Sequence, residues 1–323
     1  VITADLRPGV VDVHAHWLPA ALFGLPVGSP LGGLHDRDGE LYLGSLPLSI
    51  ATSAMSDEDA VLADMAASGV GVRALSAPPF AFPVNGPDPD YVRAYNEALA
   101  AFVARSDGAL VGLGLVSLHD AEVARAELTA LAAVEGIAGV AIPPLLAGTS
   151  LDVGVLRAIV DTAAALGLSV LVHPMQLPRP EWGSHYLANL IGNPTETATA
   201  VAAATLGGVV EALPDLRICF VHGGGCAPAL LGRWGHGWRS RADVRAHSVK
   251  PPAETFASLF FDTVTHDPDT LRLLTTLASP DRVVCGSDYP FDMAEADPVG
   301  FAVTSGPDAA TLSANGRGFL GLS

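Results

Sequence analysis

The sequence predicts a (β/α)8 TIM barrel with a small insertion after the first strand, and three observations carry that reading. Eight short apolar runs rich in β-branched residues recur at residues 10–13, 72–76, 110–116, 137–142, 168–172, 216–221, 259–262 and 282–285. Helical patterns lie between them, and a last one follows the final run. Residues suited to chemistry stand just past the ends of several runs, where a barrel collects its active site. The runs are close to continuously apolar, as parallel strands covered on both faces require. A doubly wound open sheet is the alternative, but no GxGxxG loop follows the first strand.

The elements follow in order. Residues 18–56 interrupt the repeat and are rich in Gly, Pro and Leu. Within them the turn signal Asp36-Arg37-Asp38-Gly39 predicts a β-hairpin lying over the barrel mouth. Asp57, Glu58 and Asp59 place acids in the first turn of a helix that ends near Gly69. Further helices are predicted at roughly 90–105, 120–134, 152–166, 194–213, 267–277 and 308–319. No linker divides the chain, so residues 1–323 read as a single domain.

Composition narrows the partners. The 34 acidic residues outnumber the 17 basic ones, a net charge of −17 that repels nucleic acid and anionic membrane surfaces. The expected partner is a small-molecule substrate. Lys250 is the only lysine and lies in a Pro-rich segment, which leaves little scope for lysine chemistry. The 3 cysteines form no CxxC pair, which argues against a disulfide scaffold or a Cys-ligated zinc. No signal-peptide pattern and no clean apolar span is visible, and a cytoplasmic protein is expected.

The strongest local signal is Val11-Asp12-Val13-His14-Ala15-His16. Side chains at i and i+2 of a strand share a face, so His14 and His16 both point into the barrel mouth. Alone this is a weak signal, because two polar residues at a strand end need no metal. The other strand ends strengthen it. The fifth ends in Val172-His173-Pro174, the sixth in Val221-His222-Gly223-Gly224-Gly225 and the eighth in Gly286-Ser287-Asp288-Tyr289-Pro290. Four imidazoles and one carboxylate converging at one barrel face point to a divalent metal centre. His266, after the seventh strand, reads as loop structure or a contact to the next helix.

These strand ends resemble the amidohydrolase superfamily and, within it, the aminocarboxymuconate-semialdehyde-decarboxylase-like branch. The likeness runs from about residue 10 to 321 and includes Gly192-Asn193-Pro194-Thr195-Glu196 and His266-Asp267-Pro268. It implies one divalent ion, zinc with manganese as the alternative, held by His14, His16, His173 and Asp288. His222 would be the catalytic acid/base, and Asp288 would assist as a proton shuttle. A lysine-bridged pair of metals, as in many hydrolytic members, is excluded because the fourth strand contains no lysine.

The resemblance also implies a homodimer in which an arginine after the sixth strand reaches the neighbour's pocket. Arg241 is the candidate for crossing and Arg233 for the home site, since a guanidinium can hold a carboxylate by two hydrogen bonds. In that branch an arginine of the first insertion binds a substrate carboxylate. By spacing from Asp38-Gly39 this position falls at Leu43, although a shift of a few residues would bring Arg37 there. A pocket tryptophan is replaced by Tyr186, which with Phe291 offers aromatic surface for a flat ring or conjugated chain.

The implied activity is metal-dependent, non-oxidative decarboxylation of a small aromatic or conjugated acid. Hydrolysis of a lactone, amide or imine, or hydration of a double bond, is the alternative that the same residues would serve.

Overall fold

The eight apolar runs form one parallel sheet in the computed structural model, which describes residues 6–24 and 32–322. Its strands are β1 (Val10–His16), β5 (Val70–Ser76), β6 (Leu110–Gly114), β7 (Ile137–Ile142), β8 (Ser169–Val172), β9 (Ile218–Phe220), β10 (Phe260–Asp262) and β11 (Val283–Val284), paired in that order. Parallel bridges at Asp12↔Cys285 and Ala15↔Tyr289 close the ring between its first and last strands. The N–H of Val13 donates to the Cys285 carbonyl at 2.9 Å, and that of His16 to the Tyr289 carbonyl at 2.7 Å. Every residue of β1 is buried, including Asp12, His14 and His16. Those three cannot be solvated, so each must find its partners inside.

The helices are α1 (Thr52–Ser56), α2 (Glu58–Ser68), α3 (Pro89–Ala104), α4 (Ala121–Leu131), α5 (Gly154–Leu166), α6 (Asn193–Leu206), α7 (Val209–Ala212), α8 (Ala227–Ser240), α9 (Pro252–Ala257), α10 (Pro268–Leu277), α11 (Pro298–Ser305) and α12 (Ala309–Leu320). Asp88, Asp120, Asp267 and Asp308 accept bonds from first-turn amides and so start α3, α4, α10 and α12. The single helix expected over 194–213 is two. Gly208 turns the chain at φ 71°, and a Cβ there would overlap the His247 carbonyl oxygen, so close passage of another segment breaks the helix. The α8 helix escapes the pattern because its three glycines dilute the helical signal.

The insertion carries more structure than the expected hairpin. Strands β2 (Leu34–Arg37) and β3 (Glu40–Leu43) meet at Asp38 and Gly39, whose φ of 55° and 87° suit the type I′ turn that Asp-Gly favours. A third strand, β4 (Leu46–Ala51), pairs antiparallel with β3 through Leu43↔Leu46 and Tyr42↔Pro47. Its turn is Gly44-Ser45, a weaker signal than Asp-Gly. No helix among the described residues is long and apolar enough to cross a membrane.

Barrel packing makes a specific demand at Gly139 of β7, which pairs with Ser169 of β8. A Cβ there would overlap the Ser169 carbonyl oxygen, and backbone cannot swing aside as a side chain can. Gly139→Ala should therefore lower stability by about 3 kcal/mol. Gly232→Ala, in open space on α8, should cost nothing or stabilise by up to about 1 kcal/mol. Denaturant midpoints at unchanged slope would measure both.

Candidate metal and active site

The C-terminal ends of β1, β8, β9 and β11 bring the strand-end residues together around the Asp288 carboxylate. Its Oδ1 lies 3.1 Å from His16 Nε2, 3.2 Å from His14 Nε2 and 4.0 Å from His173 Nε2. Its Oδ2 lies 3.3 Å from His222 Nε2. One donor atom from each of His14, His173, His222 and Asp288 falls within 4.8 Å of the others. His16, expected as a ligand, sits directly beside that quartet. His222, expected as the proton carrier, sits inside it.

The outer side of each imidazole explains how the inner side is presented. His14 Nδ1 meets the Asp262 carboxylate at 2.6 Å, His173 Nδ1 the Pro174 carbonyl at 2.7 Å and His16 Nδ1 the Ala77 carbonyl at 3.3 Å. An acceptor at Nδ1 assigns the proton there and leaves the Nε2 lone pair facing inward. His14 Nε2 and His173 Nε2 are buried without an aligned hydrogen-bond partner. Orphaned, inward-facing imidazole nitrogens around a carboxylate fit a divalent cation.

The charges agree. Burial works against ionising His14, but the Asp288 and Asp262 carboxylates outweigh it and raise its pKa to about 10. Burial lowers His173 to about 3 and also lowers His16, so both stay neutral and able to donate a lone pair. Asp288 is held well below the usual carboxylate range, since His14 above all, with His16 and His173, overcomes the cost of burial. Two buried carboxylates flank His14, and a cation at its Nε2 would take the place of the second proton that they favour there.

Three charged residues that build this site stood unremarked inside apolar strands. Asp262, at the end of β10, also accepts from the Gly223 amide at 2.8 Å, and so fixes the turn that carries His222. Asp12 accepts from the His14 amide at 3.1 Å, the Ser287 hydroxyl at 2.6 Å and Arg73 Nε at 2.8 Å. Arg73 is fully buried, bonds Asp64 at 2.7 Å and lies 4.5 Å from the centre of the Tyr289 ring. This latch ties β1, which carries His14 and His16, to the segment carrying Asp288. The available sequence signal was the presence of charge in strands that otherwise exclude it.

A cavity of about 420 Å³ opens onto the centre. The insertion contributes Leu43, Leu46, Pro47 and Leu48 to its wall, and His173, His222, Asp288, Tyr186 and Phe291 also line it. Phe291 stands edge-on to His16 at 5.0 Å. Leu43 therefore occupies the cavity, whereas Arg37 lies at the exposed hairpin end, 5.5 Å from the Tyr42 ring centre. Arg233, expected at the home site, is exposed on α8 and lines neither this cavity nor the smaller one behind His222. Arg241 is exposed too, and pairs with Asp243 at 2.6 Å within this chain. No lysine or arginine lines either cavity among the described residues.

Comparison with known proteins follows the geometry. An amidohydrolase family model matches residues 11–316. The 2-amino-3-carboxymuconate-6-semialdehyde decarboxylase of Dictyostelium discoideum is 29% identical over 300 residues, covering 89% of this chain and 83% of that one. Among solved structures, apo Metarhizium anisopliae IDCase superposes with a TM-score of 0.80 at 22% identity, covering 97% of both chains. The 5-carboxyvanillate decarboxylase of Novosphingobium aromaticivorans, complexed with manganese and 4-hydroxy-3-methoxy-5-nitrobenzoic acid, gives 0.78 at 20% identity, covering 100% of both.

If Asp262 orients His14 for a metal, Asp262→Ala should weaken metal affinity by roughly 10–100-fold, as loss of such outer partners does elsewhere. Competition with a chelator would measure it. Unchanged affinity would show that His14 needs no such partner.

Proposed function

The chain belongs to the amidohydrolase family, and on that premise we propose that it is a metal-dependent, non-oxidative decarboxylase of a small aromatic or conjugated monocarboxylic acid. The observation that carries this reading is the Asp288-centred cluster of inward-facing imidazoles beneath a cavity that no lysine or arginine lines among the described residues. Hydrolysis, open on the residues alone, is disfavoured because relatives that match most of the chain are decarboxylases.

His14, His16, His173 and Asp288 would hold the ion, with zinc as the first choice. Manganese is the alternative, and is the metal in one structural neighbour. When bound, the ion supplies Lewis-acid polarisation of oxygen and offsets the substrate's negative charge. His222 is the proton carrier. Its Nε2, 3.3 Å from Asp288 Oδ2, can hold a proton and pass it to the carbon that bears the carboxylate. A π-electron pair of the ring or conjugated chain forms the new C–H bond, and the pair of the breaking C–C bond returns to that π system as CO2 leaves, so no redox cofactor is required.

The cavity sets the substrate class. Leu43, which spacing matches to the arginine of the related branch, lines the cavity, and Asp292 adds negative charge to the wall. A second carboxylate would be desolvated without a partner there, at a cost of several kcal/mol. Tyr186 and Phe291 suit a flat ring or conjugated chain. The reading includes a cytoplasmic homodimer with no nucleic-acid or membrane partner, in which Arg241 leaves Asp243 to reach the neighbour's pocket.

The metal-loaded enzyme should turn over monocarboxylates in preference to matched dicarboxylates. His222→Ala should keep its metal and lose roughly 10²–10⁴ in rate. Native turnover in that variant would remove His222 from proton transfer. Arg241→Ala should raise KM more than it lowers kcat. A fully active monomer at assay concentration would exclude a shared pocket.

A further inference from the structure

We propose that the smaller cavity behind His222 is a substrate subsite for a neutral, hydrogen-bonding substituent, and that Asn193 selects it. The inference rests on the monocarboxylic-acid reading of the main cavity. The smaller cavity measures about 190 Å³ and shares Asn189, Asn193, His222, Asp288 and Met293 with the larger one. A molecule seated against Asp288 can therefore extend into both. At about 30 Å³ per water molecule, the space holds a substituent the size of about six waters.

Asn193 stands at the junction. It opens α6, is only 7% exposed, and its Oδ1 is buried with no hydrogen-bond partner. An unpaired buried amide is costly, and native proteins seldom leave one without a purpose. The surrounding backbone is already fixed. The Asn193 carbonyl accepts from Thr197 Oγ1 at 3.0 Å, and Gly225 packs so closely that a Cβ would overlap the Pro194 carbonyl oxygen. The side-chain amide is thus the group left over, on the wall of both cavities.

The insertion side presents Leu43, Leu46, Pro47 and Leu48 with Ser49, whereas the side behind His222 sets Asn189, Asn193, Thr265 and His266 among Leu190, Val264 and Met293. A bound molecule reaching behind His222 would therefore meet uncharged polar groups at discrete points on a largely apolar wall. An anionic arm would meet no lysine or arginine among the described residues and would lie near Asp288. A hydroxyl suits the position best. It can accept from Nδ2, which is not enclosed, or, with the amide turned, donate to Oδ1.

Binding of benzoate and of the 2-, 3- and 4-hydroxybenzoates to the metal-loaded protein, measured by calorimetry, tests the assignment independently of turnover. At least one hydroxybenzoate should bind about 10-fold more tightly than benzoate, the gain of one buried hydrogen bond. Asn193→Leu, of nearly equal volume, should abolish that difference while leaving benzoate affinity within about 3-fold. His266→Ala, at an exposed residue of the same cavity, should reduce the difference without disturbing the fold. Equal affinities for all four acids in the native protein, or undiminished discrimination in Asn193→Leu, would overturn the subsite. Discrimination lost in Asn193→Leu, but with no acid decarboxylated, would uphold the subsite and sink the decarboxylase reading instead.

Discussion

The site depends on one arrangement: the His14 imidazole is held between two buried carboxylates, Asp262 at Nδ1 and Asp288 at Nε2. Neither acid can leave for water, and burial of an unpaired carboxylate is among the costliest changes a fold can suffer. The shared positive charge between them, a proton or a metal ion, is therefore part of what makes the barrel mouth stable. Asp262 extends the arrangement by binding the Gly223 and Val264 amides, so one side chain joins β1, β10 and the turn after β9. Asp12 does the same on the other side, joining β1 to Arg73 and Ser287. The histidines are placed by carboxylates that need not touch substrate.

That rigidity is what lets two residues hold an unusual backbone. His222 and Asp288 both adopt left-handed conformations, with φ of 55° and 61°, which non-glycine residues seldom tolerate. Each is over-determined by its neighbours. The Gly223 amide is tied to Asp262, and the Asp288 amide donates to the His14 carbonyl at 2.8 Å. In this backbone the two side chains meet at 3.3 Å, His222 Nε2 to Asp288 Oδ2.

Above this rigid floor, the walls of the cavity come from less regular chain. The three-stranded insertion supplies an apolar wall, and the segment before α6 supplies Tyr186 and Asn189. This division is typical of barrels, in which strand ends carry the chemistry and loops carry the choice of substrate.

The barrel was legible in the sequence because parallel strands buried on both faces leave uninterrupted apolar runs, and all eight predicted runs became strands. The positions of His14, His16, His173, His222 and Asp288 were legible as well, because barrel topology sends every strand end to one face. The Asp-Gly turn was readable for the same local reason, since few residues accept two positive φ angles in succession. What the sequence could not supply were relations between distant residues. Asp262 and Arg73 look like isolated charges until folding sets them 248 residues from His14 and 61 from Asp12 along the chain, within hydrogen-bond reach. The choice between Leu43 and Arg37 turned on the hairpin register, and the break between α6 and α7 on a segment passing Gly208. Local pattern records what each segment must bury. Only the packed chain decides which buried group meets which, because that choice belongs to pairs of residues far apart in sequence.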